Sequence, residues 1–152
     1  MLIQNATVFD GTGAPARPAT NILIRDGRIA AVAPAAQLPA PDGADIIDGT
    51  GKFVIPGLID MHVHVELSGG EEGLPSRRAA GATTTRDVGG SPEGMLPLRD
   101  AIAAGNKVGP RIYSYGPLLD GVPSIFGNRP LAGGGPADLT WIIEDAARAQ
   151  AA

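Results

Sequence analysis

The chain has 152 residues, 43% of them hydrophobic and 18% charged, with 12 Lys and Arg against 16 Asp and Glu for a formal charge of -4. That is enough apolar material for one core, and the acid excess without clustered Lys or Arg excludes a nucleic-acid surface, which needs such clusters to meet phosphates. Zero cysteines exclude disulfides, thiolate metal ligands and a cysteine nucleophile.

The N-terminus, Met1-Leu2-Ile3-Gln4-Asn5, carries no basic region ahead of an apolar core, and no run approaches the ~20 apolar residues of a membrane span. A cytoplasmic protein without a signal peptide or membrane contact is expected. Residues 1–52 read as short strands over 2–9, 21–25, 28–32 and 45–48, separated by Asp-Gly turns at 10–11, 26–27, 42–43 and 48–49. Asp26-Gly27 lies between two apolar runs and signals a two-residue type I′ hairpin, because that turn needs positive φ at both positions. These residues are expected to form a small antiparallel, sandwich-like β unit, with the Pro- and Ala-rich 34–41 as a loop.

From residue 53 onward, strand and helix patterns alternate, which is the text of βα units and a parallel sheet. Strands are expected over 53–65, 82–88 and 111–118, the second rich in β-branched Thr83-Thr84-Thr85. A short helix is expected near 74–80. Ser91-Pro92 reads as an N-cap followed by Pro at the first helical position, opening a helix to about Ala104 that Gly105 closes. A Gly- and Pro-rich loop over 119–135 precedes a last helix. Leu139, Ile142, Ile143 and Ala146 share one face of it, and Glu144 and Arg148 form an i,i+4 pair.

The chemistry concentrates in Val54-Ile55-Pro56-Gly57-Leu58-Ile59-Asp60-Met61-His62-Val63-His64-Val65, which holds the only two histidines of the chain. Alternation along a strand puts His62 and His64 on one face with Cα atoms ~6.7 Å apart, so both imidazoles can lean toward one metal ion while Val63 and Val65 pack the other way. By parity Asp60 and Glu66 join that face. Asp60 is then a candidate to orient a histidine ring, and equally a strand-end turn residue. Glu66, Asp87 and Asp120 are further candidate ligands, each also readable as a loop or ion-pair residue. Other chemistries find no support: Gly133-Gly134-Gly135 lacks the Gly-Lys-Ser/Thr ending of a phosphate loop, Gly11-Thr12-Gly13 is not followed by the helix a dinucleotide site needs, and Ser114 sits in no nucleophile elbow.

Pro-Gly-x-x-Asp-x-His-x-His after a β-rich lead resembles the signature of the amidohydrolase superfamily, metal-dependent hydrolases built on a (β/α)8 barrel. Gly81-Ala82-Thr83-Thr84-Thr85-Arg86-Asp87-Val88-Gly89-Gly90 is similar to the second barrel strand of its imidazolonepropionase-like and prolidase-like branch, and Gly109-Pro110-Arg111-Ile112-Tyr113-Ser114-Tyr115-Gly116-Pro117 to the third. The resemblance implies an N-terminal β unit over 1–52 and the first βα units of a barrel over 53–152. It implies a divalent metal, zinc by ligand chemistry, held by His62 and His64, and water-driven cleavage of a carbon-nitrogen bond in a small-molecule amide, cyclic amide or dipeptide. A barrel takes ~250 residues, and the family's carboxylated lysine, two further histidines and catalytic aspartate come from later strands. A truncated form with about three βα units is therefore expected. It is either inactive or an assembly module pairing an open sheet edge with a second copy or a complementing chain.

Overall fold

The structure is a computed structural model that describes residues 1–121, 140–143 and 147. Two compact units are present, Met1–Pro56 and a second beginning at Gly57.

The first unit is a five-stranded sheet built on β1 (Leu2–Val8), β2 (Arg17–Arg25), β3 (Arg28–Pro34), β4 (Ile46–Asp48) and β5 (Phe53–Val54). The order is β3-β2-β1-β4, with β5 also paired to β1. The hairpin between β2 and β3 turns at Asp26 (φ 50°) and Gly27 (φ 69°), both in the left-handed region that a type I′ turn demands. The unit is not purely antiparallel, however. β4 runs parallel to β1 through Leu2–Gln4, and β5 runs parallel to it further along at Thr7 and Val8. Two crossovers, which turn dipeptides do not signal, return the chain to the same edge.

Leu2, Ala6, Val8, Ile22 and Leu23 are the buried hydrophobic residues of this unit, the consecutive Ile22 and Leu23 covered on opposite faces of β2. A bulge interrupts β1 between Ile3 and Ala6, where Asn5 takes a φ of 59° and leaves the ladder. Fully buried Asn21 repairs the loss: its Oδ1 accepts the Asn5 amide at 2.7 Å and its Nδ2 donates to the Leu38 carbonyl at 2.9 Å. The sequence Asp-Gly-Thr occurs twice as the same local device. Asp10 Oδ1 accepts the Thr12 amide at 3.0 Å, and Asp48 Oδ1 the Thr50 amide at 2.9 Å. These threonine hydrogen bonds hold both carboxyls below the ordinary aspartate value.

In the second unit β6 (Leu58–Val63), β7 (Ala82–Asp87) and β8 (Arg111–Ser114) form a parallel sheet in that order, with α1 (Leu74–Ala79) after β6 and α2 (Pro92–Ala103) after β7. The core between sheet and helices is Val63, Val65, Leu74, Met95 and Ile112, flanked by Leu98 and Ile102. Gly57 enters the sheet so close to Thr83 that a Cβ there would lie 2.2 Å from the threonine hydroxyl, which explains glycine after Pro56. Ser91 caps α2 by accepting the Gly94 amide at 3.1 Å, and Gly105 ends the helix region with φ 77°. No helix among the described residues is long and apolar enough to cross a membrane.

Three expectations change. The strand expected over 53–65 is two: Phe53–Val54 joins the first unit and Leu58–Val63 begins the second, with Ile55-Pro56-Gly57 between them. The third strand stops at Ser114. After a glycine at φ 82°, β9 (Leu118–Asp120) pairs in parallel with β10 (Thr140–Ile142), which replaces the expected last helix over those residues. Thr140-Trp141-Ile142 is a β-branched and aromatic run, and over so few residues helical spacing cannot outweigh that preference. Leu139, Ala146 and the Glu144 and Arg148 pair lie outside the described residues, as does most of the 119–135 loop.

Gly27→Ala should lower unfolding stability by about 1–2 kcal/mol, the cost of a Cβ in the left-handed region. Ser91→Ala should cost about 1 kcal/mol through the lost cap. Both are read by urea unfolding at constant m. In an NMR acid titration Asp10 and Asp48 should titrate below an ordinary aspartate. Their contribution to stability is therefore complete above the ordinary value and lost as pH falls through the lowered ones.

Candidate metal centre

β6 delivers the histidines by burying their neighbours. Val63 is 5% exposed and Val65 is fully buried, both against Leu74 and Met95, so the residues flanking Val63 turn the other way. The His62 and His64 rings stand edge to face with centroids 5.4 Å apart. His64 lies just beyond the strand, and two contacts fix it. Its Nδ1 is 3.3 Å from the Gly89 carbonyl, which with a proton on Nδ1 leaves Nε2 as the free donor atom, the usual arrangement of a metal-binding imidazole. Its own carbonyl accepts the Ser68 hydroxyl at 2.5 Å.

Gly89 was legible only as part of a motif, yet the site depends on it. A Cβ there would lie 3.0 Å from His64 Nδ1 and 2.8 Å from Leu118 Cγ, so only glycine lets the loop after β7 close over the ring.

The acids sit elsewhere than parity suggests. The pairing of β6 with β7 shifts between Asp60 and Val63, so Asp60 stands opposite Thr85 and Val63 opposite Asp87. This bulge takes Asp60 off the histidine face, and its Oδ1 accepts the His62 backbone amide at 3.3 Å instead of meeting a ring nitrogen. Glu66 reaches the start of α2, where Oε2 accepts the Ser91 amide at 2.7 Å and Oε1 the Ser91 hydroxyl at 3.3 Å. A carboxylate is favoured there by the unpaired amides of a helix start. Asp87 is fully buried on the Val63 side of the sheet, and its Oδ1 accepts the Val65 amide at 2.9 Å. Its Oδ2, Thr85 Oγ1 and Ser114 Oγ are buried without a hydrogen-bond partner. Asp120 Oδ1 accepts the Gly121 amide at 2.8 Å.

Among the described residues no three His, Cys, Asp or Glu side chains converge on one point. Two adjacent imidazoles, one with its second nitrogen engaged by a carbonyl, match part of the donor set of a zinc-like divalent ion. The remaining donors would have to come from outside this cluster.

No family model matches the chain. Imidazolonepropionase of Acidiphilium cryptum (strain JF-5) is 31% identical over 123 residues, covering 75% of this chain and 31% of that protein. Dihydroorotase of Thermoanaerobacter sp. (strain X514) is 46% identical over 72 residues, 47% of this chain and 16% of that protein. The solved structure of molinate hydrolase matches with a TM-score of 0.72 at 31% identity, over 78% of this chain and 30% of that one. The chain thus spans a third or less of the length of these relatives. Sequence likeness to differently named hydrolases and backbone likeness to a solved one agree that the chain belongs to the amidohydrolase superfamily.

Proposed function

We propose that this chain supplies the first βα units of a barrel-type amidohydrolase and, within it, two ligands of a divalent metal, most readily zinc, for hydrolysis of a carbon-nitrogen bond in a small amide, cyclic amide or dipeptide. The observation that carries the reading is the pairing of the His62 and His64 rings, 5.4 Å apart, at the end of the first parallel strand. Active sites of such barrels form at the strand C-termini. When bound, the metal supplies Lewis-acid activation of water and of the scissile carbonyl.

The chain's own residues do the positioning. His62 and His64 hold the ion; the Gly89 carbonyl fixes the His64 ring; Val63 and Val65 anchor the segment in the core so that the imidazoles do not swing. Asp60, bonded to the His62 amide, shapes the backbone rather than accepting a proton. Proton transfer is assigned to a carboxylate of a later barrel strand, by family likeness.

A second reading is favoured by the sheet itself. Among the described residues β6 and β8 are its outer strands, and Leu58, Ile59 and Met61 of β6 are all more than half exposed. Open strand edges beside apolar side chains favour pairing with a second copy of the chain. Sedimentation equilibrium decides this: a monomer excludes it, and a dimer supports it.

Equilibrium zinc binding to the purified chain tests the primary reading. Histidine-dependent binding should be abolished in His62→Ala/His64→Ala and weakened about tenfold or more in Gly89→Ala, the usual scale for disturbing a ligand's supporting contact. Equal binding by the wild-type chain and the double variant would overturn the assignment.

A further inference from the structure

We infer that Arg86 is the anion-recognition residue of this sheet face and that it takes the carboxylate of a small ligand. The inference deepens the hydrolase reading, on which it rests for the remainder of that ligand.

The register fixes where Arg86 points. Val63, Asp87 and Ser114 stand side by side across the three strands, and Val63 and Asp87 are buried toward the helices. The residues one step earlier, His62, Arg86 and Tyr113, therefore project from the opposite face. Arg86 shares a face and a level of the sheet with the candidate metal ligand.

Two contacts hold its guanidinium. The bulge between Asp60 and Val63 takes Met61 out of the ladder, and Arg86 Nε donates to the Met61 carbonyl at 2.6 Å. Its Cζ lies 5.5 Å from the centre of the Tyr115 ring. Neither contact involves the terminal nitrogens in a hydrogen bond, and these present the fork that matches a carboxylate in bidentate fashion. The ion pairs among the described residues are Arg17–Asp10, Arg99–Asp100 and Lys107–Glu71, so Arg86 has no carboxylate of its own there.

The surroundings have the same sign. Thr84 stands opposite Arg111, which puts a second guanidinium on this face, and the strand residues that share it, Ile59, Thr84 and Tyr113, include no acid. A half-buried cation, fixed in place without a counter-ion beside a second cation, is stabilised by an arriving anion. A purely structural Arg86 would pin the Met61 carbonyl and do nothing more. Charge selectivity separates the two roles.

Hippurate, which joins an amide to a carboxylate, and its uncharged analogue hippuramide are titrated into the metal-free chain, with binding read by NMR shifts of the β7 and β8 amides. Wild-type chain should bind hippurate about tenfold more tightly than hippuramide, the scale of a charge-assisted bond. Arg86→Gln keeps an N–H for the Met61 carbonyl but removes the charge, and should equalise the two probes. Arg25→Gln, an exposed arginine of the β2 hairpin, should leave the preference intact, as should His62→Ala/His64→Ala. Equal binding of the two probes by the wild-type chain, a comparison that needs no variant to fold, would overturn the inference. So would a preference that survives in Arg86→Gln. Because neither metal nor turnover is read, failure of zinc binding leaves this result standing, and failure here leaves the zinc result standing.

Discussion

The hydrogen bond from the Val65 amide to the buried carboxylate of Asp87 is the contact on which the second unit turns. It ties the residue after His64 to the end of the neighbouring strand, and it works only while Val63 and Val65 stay in the core with Leu74, Met95 and Ile112. Once both valines are buried, His62 and His64 have only the open side of the sheet available. The site is thus a by-product of packing: hydrophobic burial chooses the direction and one carboxylate locks the phase. The second oxygen of Asp87, with Thr85 Oγ1 and Ser114 Oγ, is buried without a partner. Such atoms cost about 1–3 kcal/mol each, so this polar seam draws on the stability that the apolar core contributes.

A second tie reinforces the first. Glu66 leaves the segment that carries the histidines and caps α2 through the Ser91 amide, while the Gly89 carbonyl faces His64 from the loop between β7 and α2. Gly90 and Gly94 leave the room that this needs, since a Cβ at Gly90 would lie 2.6 Å from Asp87 Oδ2 and one at Gly94 2.5 Å from Glu66 Oε1. The loops after β6 and β7 are one interlocked body. That rigidity suits a site whose two imidazoles must keep a fixed spacing.

Much of this was legible in the text of the chain, and what was not has identifiable causes. Asp26-Gly27, Ser91-Pro92 and the His62-Val63-His64-Val65 alternation are local devices, and local physics reads them. The parallel return of β4 and β5 to the edge of β1 depends on contacts distant in sequence, which no turn dipeptide encodes. Parity failed at Asp60 because one extra residue in β6 shifts the phase, and nothing in Leu58-Ile59-Asp60-Met61 marks the bulge. Glu66 was misplaced for a different reason: its partner, Ser91, is 25 residues away and competes for the carboxylate that spacing alone would assign to a metal. Helical spacing at residues 139–146 misled over the stretch where Thr140–Ile142 is a strand, because an amphipathic pattern that short is shared by both structures.

The bulge in β6 also acts as a phase element for the chemistry downstream of it. Side chains on a strand change sides with every residue, so the extra position between Asp60 and Val63 decides which pair, valine or histidine, meets the helices. Deleting a single residue there would not shorten the strand so much as invert it, presenting two imidazoles to an apolar layer and two valines to the open face. The length of this segment is thus a requirement separate from the identity of its side chains: loss of one peptide unit between Asp60 and Val63 would turn the histidines inward whatever residues surround them.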